Sequence, residues 1–492
     1  MKLKVLGAIA AALAVLAISS VALAIYPGQS IGQGSSDIWV MNLDETLDAD
    51  VVASYINQDG VAESSVGGAI APLGNARFPA SSSGLADGWL GSMVLFSNRE
   101  LASVAELHWQ NVPTGDGWSG AAYIGYSEGA NEIFLSGLAK TSSHRSIITI
   151  QCVDTVDCEV SMTYRGVDGI IVPGSPFTEI IEADSQETYD LHDPTVNPNI
   201  PTGLPTSWFG AMRATSDQKI AGVITTHWVF GYAVASNGLV PGTDTTIYFT
   251  SLNRRNFTGD WKGQSDWSGF TVQNLNDFSI DVYNSLYGTS GGPALLVFSD
   301  TIPAYASHNY NLRYGNDVDA STFDVLGNTF LGTATVTSTD PIVGAASGVR
   351  YPSQGMGGAY LGVPGGTDRL VFPVAYRVKN GSTWLNESAL AVQNVNSTSE
   401  VTVTVSLMHS NGTVGVQFDD TIPAASVHAY NTRYGGDTPL GAATFDPLGD
   451  SWAGTIIVTT ENPTDEVTGV LTNQTAGSGY VYMAVYNAVM TP

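Results

Sequence analysis

Two cysteines in 492 residues, Cys152 and Cys158, are too few for a scaffold built on disulfides. Positive charge is scarce too: 18 lysines and arginines stand against 45 aspartates and glutamates, a net charge of −27. Such a chain repels phosphate backbones and anionic headgroups, which argues against nucleic acid or an anionic lipid surface as a partner. Charged residues of both signs make up only 13% of the sequence, whereas 10 Trp, 21 Tyr and 16 Phe need a core. Disordered chains show the reverse balance. Beyond the N-terminus no apolar run reaches the roughly 18 residues of a membrane span, so none is expected in the mature chain. Helical periodicity appears only in that N-terminal stretch.

The stretch itself reads as a secretory leader. Lys2 and Lys4 precede an apolar run from Val5 to about Ile18, and Ala22-Leu23-Ala24 supplies the small residues that a signal peptidase requires. Residues 1–24 are therefore expected to be removed and the protein to be secreted, extracellular or displayed on a cell surface. In that oxidising setting Cys152 and Cys158, which flank a short turn, are expected to form a hairpin disulfide.

Self-comparison is the most informative step. A strand ending in an amide or thiol occurs at Asn42, Cys152, Asn274 and Asn394, and a turn glycine follows at Gly60, Gly169, Gly291 and Gly412. An aromatic two residues before a glycine recurs as Trp89, Trp208, Phe330 and Trp452. Asp300-Thr301-Ile302-Pro303 repeats as Asp420-Thr421-Ile422-Pro423, and Tyr310-Asn311-Leu312-Arg313-Tyr314-Gly315 as Tyr430-Asn431-Thr432-Arg433-Tyr434-Gly435. Between these landmarks lie short Val/Thr-rich alternating runs and Gly, Pro, Asn and Asp turns, such as Val401 to Leu407 followed by Asn411-Gly412. The expected fold is all-β: four tandem antiparallel β-sandwich, immunoglobulin-like domains over residues 25–128, 129–243, 244–366 and 367–492, arranged in a row.

These motifs resemble those of uncharacterised tandem β-sandwich repeat proteins that bacteria secrete to cell surfaces and appendages. The resemblance runs over nearly the whole mature chain. It implies a surface or appendage role and brings no catalytic residues with it.

Catalytic signals are weak. Gly288-Thr289-Ser290-Gly291-Gly292-Pro293 looks like a serine-protease nucleophile loop, but Gly291 falls at a turn that recurs elsewhere without serine, so the protein is expected not to be an enzyme. His108-Trp109 and His227-Trp228 occupy matching places and read as pairs closing the sandwiches. Arg313 and Arg433 read as loop-ordering cations. No cofactor is expected. Calcium is a candidate because acids gather at Asp44, Glu45, Asp48 and Asp50, and at Asp190 and Asp193.

Two functions fit. The first is an exported structural subunit of a filament, sheath or surface layer that associates with itself non-covalently. The first repeat lacks the opening strand that the others own, while Tyr480 to Val489 reads as a spare, so the C-terminal strand (Tyr480, Val481, Met483, Val485) could complete the first domain (Ile38, Val40) of the next subunit. The second is an adhesive or carbohydrate-binding surface protein for cell-surface glycans, with Phe257, Trp261 and Trp267 as candidate ligand platforms.

Overall fold

The computed structural model describes residues 12–15, 25–26, 29–30, 33–86, 89–112, 117–229, 231–256, 265–350, 356–436, 440–477 and 480–490. The protein is all-β, with several antiparallel sheets and a few short 3-10 turns. Among the described residues no helix is long and apolar enough to cross a membrane.

The last quarter of the chain shows the strand plan most fully. Its opening strand, Arg369–Asn380, pairs with Ser451–Thr460, which pairs with Val401–His409, which pairs with Val414–Ile422. A second sheet runs Val427–Asn431, Thr383–Asn394, Val467–Gly477 and Tyr480–Asn487. Val401, Val403, Val405 and Leu407 alternate inward, as period-2 side-chain placement demands, and meet Leu390, Val392, Phe372 and Leu471 in one buried cluster.

The same ladders recur upstream. In the third quarter Thr246–Asn256 opens onto Thr329–Ser338, and Ser265–Asn274 pairs with Ile342–Arg350, which pairs with Met356–Leu361. In the second, Ala130–Lys140 opens onto the 21-residue strand Trp208–Trp228, which serves both sheets and pairs with the last strand, Ala233–Asn237. In the first, Gly91–Ser97 pairs with Ala49–Asn57, while Gln33–Asn42, Leu101–Gln110 and Trp118–Ile124 form the other sheet.

The repeated motifs are structural fasteners. The Asn394 amide, fully buried, donates to the carbonyls of Ser399, Ile422 and Pro423 and so pins the strand end to two turns. Asn274 and Asn42 do the same in their quarters. Where the second quarter has Cys152 instead, a disulfide to Cys158 joins two strands that follow each other in the chain, His144–Cys152 and Cys158–Gly166, but do not pair with each other, so the bridge does not close the hairpin expected from the sequence. The buried amide and the disulfide thus do the same local work. Replacing both cysteines with alanine is expected to cost about 2 kcal/mol, from the entropy of a short closed loop, measurable by urea unfolding with and without reductant. Asp300 accepts hydrogen bonds from His308 Nδ1 (2.6 Å) and Tyr310 Oη (3.0 Å), and Asp420 from His428 (2.8 Å) and Tyr430 (2.7 Å). The acidic motif therefore ties two strands of one sandwich together.

The quarters do not lie in a row. Each recurring turn glycine, in the left-handed region with φ between +70° and +78°, sits against the backbone of the following quarter. A Cβ on Gly60 would stand 2.5 Å from the Ala183 oxygen, on Gly169 2.9 Å from Pro303 Cβ, and on Gly291 2.7 Å from Pro423 Cβ. Gly412 closes the circle: a Cβ there would overlap the carbonyl oxygen of Pro72, in the first quarter. The receiving turns share an unusual backbone, with Leu73, Asp184, Tyr305 and Ala425 at φ of 54°, 61°, 55° and 52°. Inside the ring the last strands of all four quarters, Trp118–Ile124, Ala233–Asn237, Met356–Leu361 and Tyr480–Asn487, touch one another. The turn containing Ser290 is one of these docking turns.

The C-terminal strand is not a spare. Tyr480, Val481, Met483 and Val485 pair with Gly477, Ala476, Gln474 and Thr472, the place that the final strand takes in every quarter. Met483 and Val485 are buried in the core cluster of the third quarter, so the strand is paired along one edge and packed on one face. Ile38 and Val40 lie in the core of the first quarter and offer no open groove. Sequence periodicity identified the strand, but its partners come from positions more than 100 residues upstream, such as Leu361, whose N–H donates to Asn487 at 2.7 Å.

Candidate binding site in the joint between the second and third quarters

Equivalent positions on the ladders decide how each joint is filled. Val104, Val223, Ala345 and Val470 correspond, as do Ala122, Ala235, Ala359 and Val485. The first quarter sends Val104 and Ala122 into the core cluster of the fourth. The second sends Val223, Ala233 and Ala235 into the first, and the fourth sends Val470, Met483 and Val485 into the third. Among the described residues, the core cluster of the second quarter receives nothing from the third. There alanine, at Ala345, stands where the other three quarters have valine, and Gly357 and Ala359 stand where the fourth has Met483 and Val485.

The consequence is a cavity of about 1280 Å³ between the second and third quarters. The joint is held beside it by Phe134, Leu239 and Val343, with Tyr305 under Arg165 and Arg213, so the space is framed rather than collapsed. Its floor is the small-residue sheet face of the third quarter: Gly269, Thr271, Ala345, Ser347 and Ala359. The facing wall is aromatic. Trp228 and Tyr232 stack at 4.8 Å, and His144 meets Trp228 at 5.1 Å and Phe209 at 5.5 Å. At the other side Arg313 lies between the rings of Trp267 (4.3 Å) and Tyr314 (4.4 Å). Tyr314 is 54% exposed and Phe209 48%, so the rings of the rim face solvent.

Polar groups are grouped on one edge. Asn309 donates to Thr271 Oγ1 at 2.8 Å, Asn316 donates to Asn309 Oδ1, and Asp317 accepts the Asn309 N–H at 2.7 Å. Burial pushes His144 down to about 4, so at neutral pH the imidazole is uncharged. The lining thus combines exposed rings, amides and hydroxyls with one guanidinium and the carboxylates Asp168 and Asp317.

Of the three aromatic candidates from the sequence, Trp267 lines this cavity; Phe257 and Trp261 lie outside the described residues. Trp228, Tyr232 and Phe209 were not singled out as ligand platforms. The available signal was a difference between repeats: the third is small where the fourth has Val470 and Val485. His108 and His227 act across other joints, His108 against Tyr482 at 4.9 Å and His227 against Trp109 at 4.7 Å. Most of the acids suggested for calcium are otherwise engaged. Asp190 receives Arg145 Nε at 2.8 Å in a fully buried pair, Glu45 faces Arg369 at 3.3 Å, and Asp44 and Asp193 cap turns. Among the described residues no three metal-ligating side chains cluster.

No protein-family model matches the sequence, and no curated protein matches it. Among solved structures, Thermotoga maritima 1070 is similar at 16% identity over 26% of this chain and 96% of its own, with a TM-score of 0.19. The Anabaena sensory rhodopsin transducer is similar at 19% identity over 19% and 91%, with a TM-score of 0.15. The C-terminal domain of the Streptococcus pyogenes antigen I/II-family protein AspA covers 51% of this chain and 96% of its own at 12% identity, with a TM-score of 0.13. At these scores the likenesses carry no argument about function.

Proposed function

We propose that the protein is an exported, non-catalytic surface protein, a single-chain ring of four immunoglobulin-like sandwiches that binds a neutral oligosaccharide in the joint between the second and third quarters. The observation that carries this reading is the framed, aromatic-lined cavity at the joint where Ala345 stands in place of the valine of the other three quarters. Rings offer flat apolar faces to the C–H faces of sugars, and amides and hydroxyls match their hydroxyl groups. With a single guanidinium opposed by two carboxylates, the site favours no phosphate or other polyanion. Asp168 and Asp317 are both engaged in turn hydrogen bonds, which fits binding rather than cleavage.

The test is tryptophan fluorescence titration with cellohexaose and chitohexaose. Binding is expected in the micromolar to millimolar range, and Tyr314→Ala, a change at an exposed ring, is expected to weaken it about tenfold, or ~1.4 kcal/mol, without changing stability. Absence of binding by both glycans, or equal affinity in Tyr314→Ala and Trp267→Ala, would overturn the reading. A self-associating structural subunit is the second reading, favoured by the strand edge of the first quarter described next.

A further inference from the structure

Three quarters bring their own opening strand to the sheet that begins after the aromatic-x-glycine motif. Ile133 faces Ala214, Ile247 faces Val336 and Leu370 faces Val458, each four residues beyond the motif glycine. In the first quarter that position is Leu95, and the residue facing it is Leu13. Ala12–Val15, inside the apolar leader, pairs antiparallel with Met93–Phe96 in the register that the other opening strands keep.

We infer that the leader is the opening strand of the first sandwich, and that its removal leaves Gly91–Ser97 as an open acceptor edge fitted to an extended apolar strand of the leader's own kind. This inference rests on the leader-removal part of the proposed function and not on the glycan site. The reasoning is one of backbone accounting. A sheet edge that loses its neighbour regains a row of unpaired N–H and C=O groups, and adding a strand satisfies them. The opposite edge of Gly91–Ser97 is already taken by Ala49–Asn57, so only the leader side can open. The last strand of the chain cannot refill it, because Tyr480–Asn487 is committed to the ring interior. The edge is thus closed in the precursor and opened by processing.

Hydrogen exchange followed by mass spectrometry tests this on the full chain. Amides of Met93–Phe96 are expected to be protected in the unprocessed protein and to exchange at least tenfold faster in the full-length variants Leu13→Asp and Ala14→Pro, with the other three quarters unchanged. Adding a synthetic peptide of residues 11–18 to either variant is expected to restore protection. Unchanged exchange in both variants would overturn the inference, since the edge would then not depend on the leader. Failure of the peptide to restore protection would equally overturn it, since the edge would then not be an acceptor. Neither outcome bears on glycan binding, so the two proposals fail separately.

Discussion

Gly412→Ala is expected to destabilise the protein by roughly 3 kcal/mol or more and to open the joint between the fourth and first quarters. Two costs add. A left-handed backbone, φ +78° here, costs a residue with a Cβ about 1–2 kcal/mol. The new methyl would also overlap the Pro72 carbonyl, and overpacking against backbone that cannot yield costs about 1–3 kcal/mol. Gly381→Ala separates the two, because Gly381 has φ +60° but no described atom within 4 Å of its Cβ position. It is expected to show the first cost alone. Urea unfolding measures both variants, and the exchange rate of the Asn75 amide, which donates to the Ser410 carbonyl at 3.1 Å, reports the joint directly. Equal losses in the two variants would mean that ring closure contributes nothing at this turn.

Acidification is expected to have a comparable effect through two buried histidines. Burial holds His144 near 4; burial, with the nearby Arg145 charge, holds His227 near 3, both well below the ordinary value of 6.5. The unfolded chain therefore binds protons that the folded chain refuses, and stability present above pH 6.5 is lost as pH falls towards 4. One protonation step per pH unit is worth about 1.4 kcal/mol, so the pair contributes a slope of up to about 2.7 kcal/mol per unit in that window. His308 works in the opposite sense. Burial is the largest single influence and opposes its charge, but the hydrogen bond and charge of Asp300, the charge of Asp317 and the Val167 carbonyl together outweigh burial and raise it, so its contribution is full below 6.5 and fades above its folded value. Replacing His227 with glutamine is expected to halve the slope of unfolding free energy between pH 6.5 and 4.5. An unchanged slope would place the acid sensitivity elsewhere.

Much of the local structure was legible because it rests on nearby residues. The alternation in Val401–His409, the Asn411-Gly412 turn and the Cys152–Cys158 bridge each involve neighbours in sequence. A period-2 pattern and a turn residue carry their meaning wherever the strand sits.

The joints carry no such signature. Thr455 donates to the Leu73 carbonyl across 382 residues, and Glu106 accepts from Tyr376 and Asn473 of the fourth quarter. No motif marks these pairs, because each side is an ordinary strand residue until the other arrives. The strand 480–487 shows the limit most plainly: an alternating apolar run without a downstream repeat looks like a donor, but its faces are used inside its own ring. The positions of the strands and of the turns between them were thus determined by the sequence alone, through local periodicity and turn chemistry. Closure of the ring and the cavity beside Ala345 and Ala359 were decided only by tertiary packing, since side-chain size has consequences only once the opposing surface is in place.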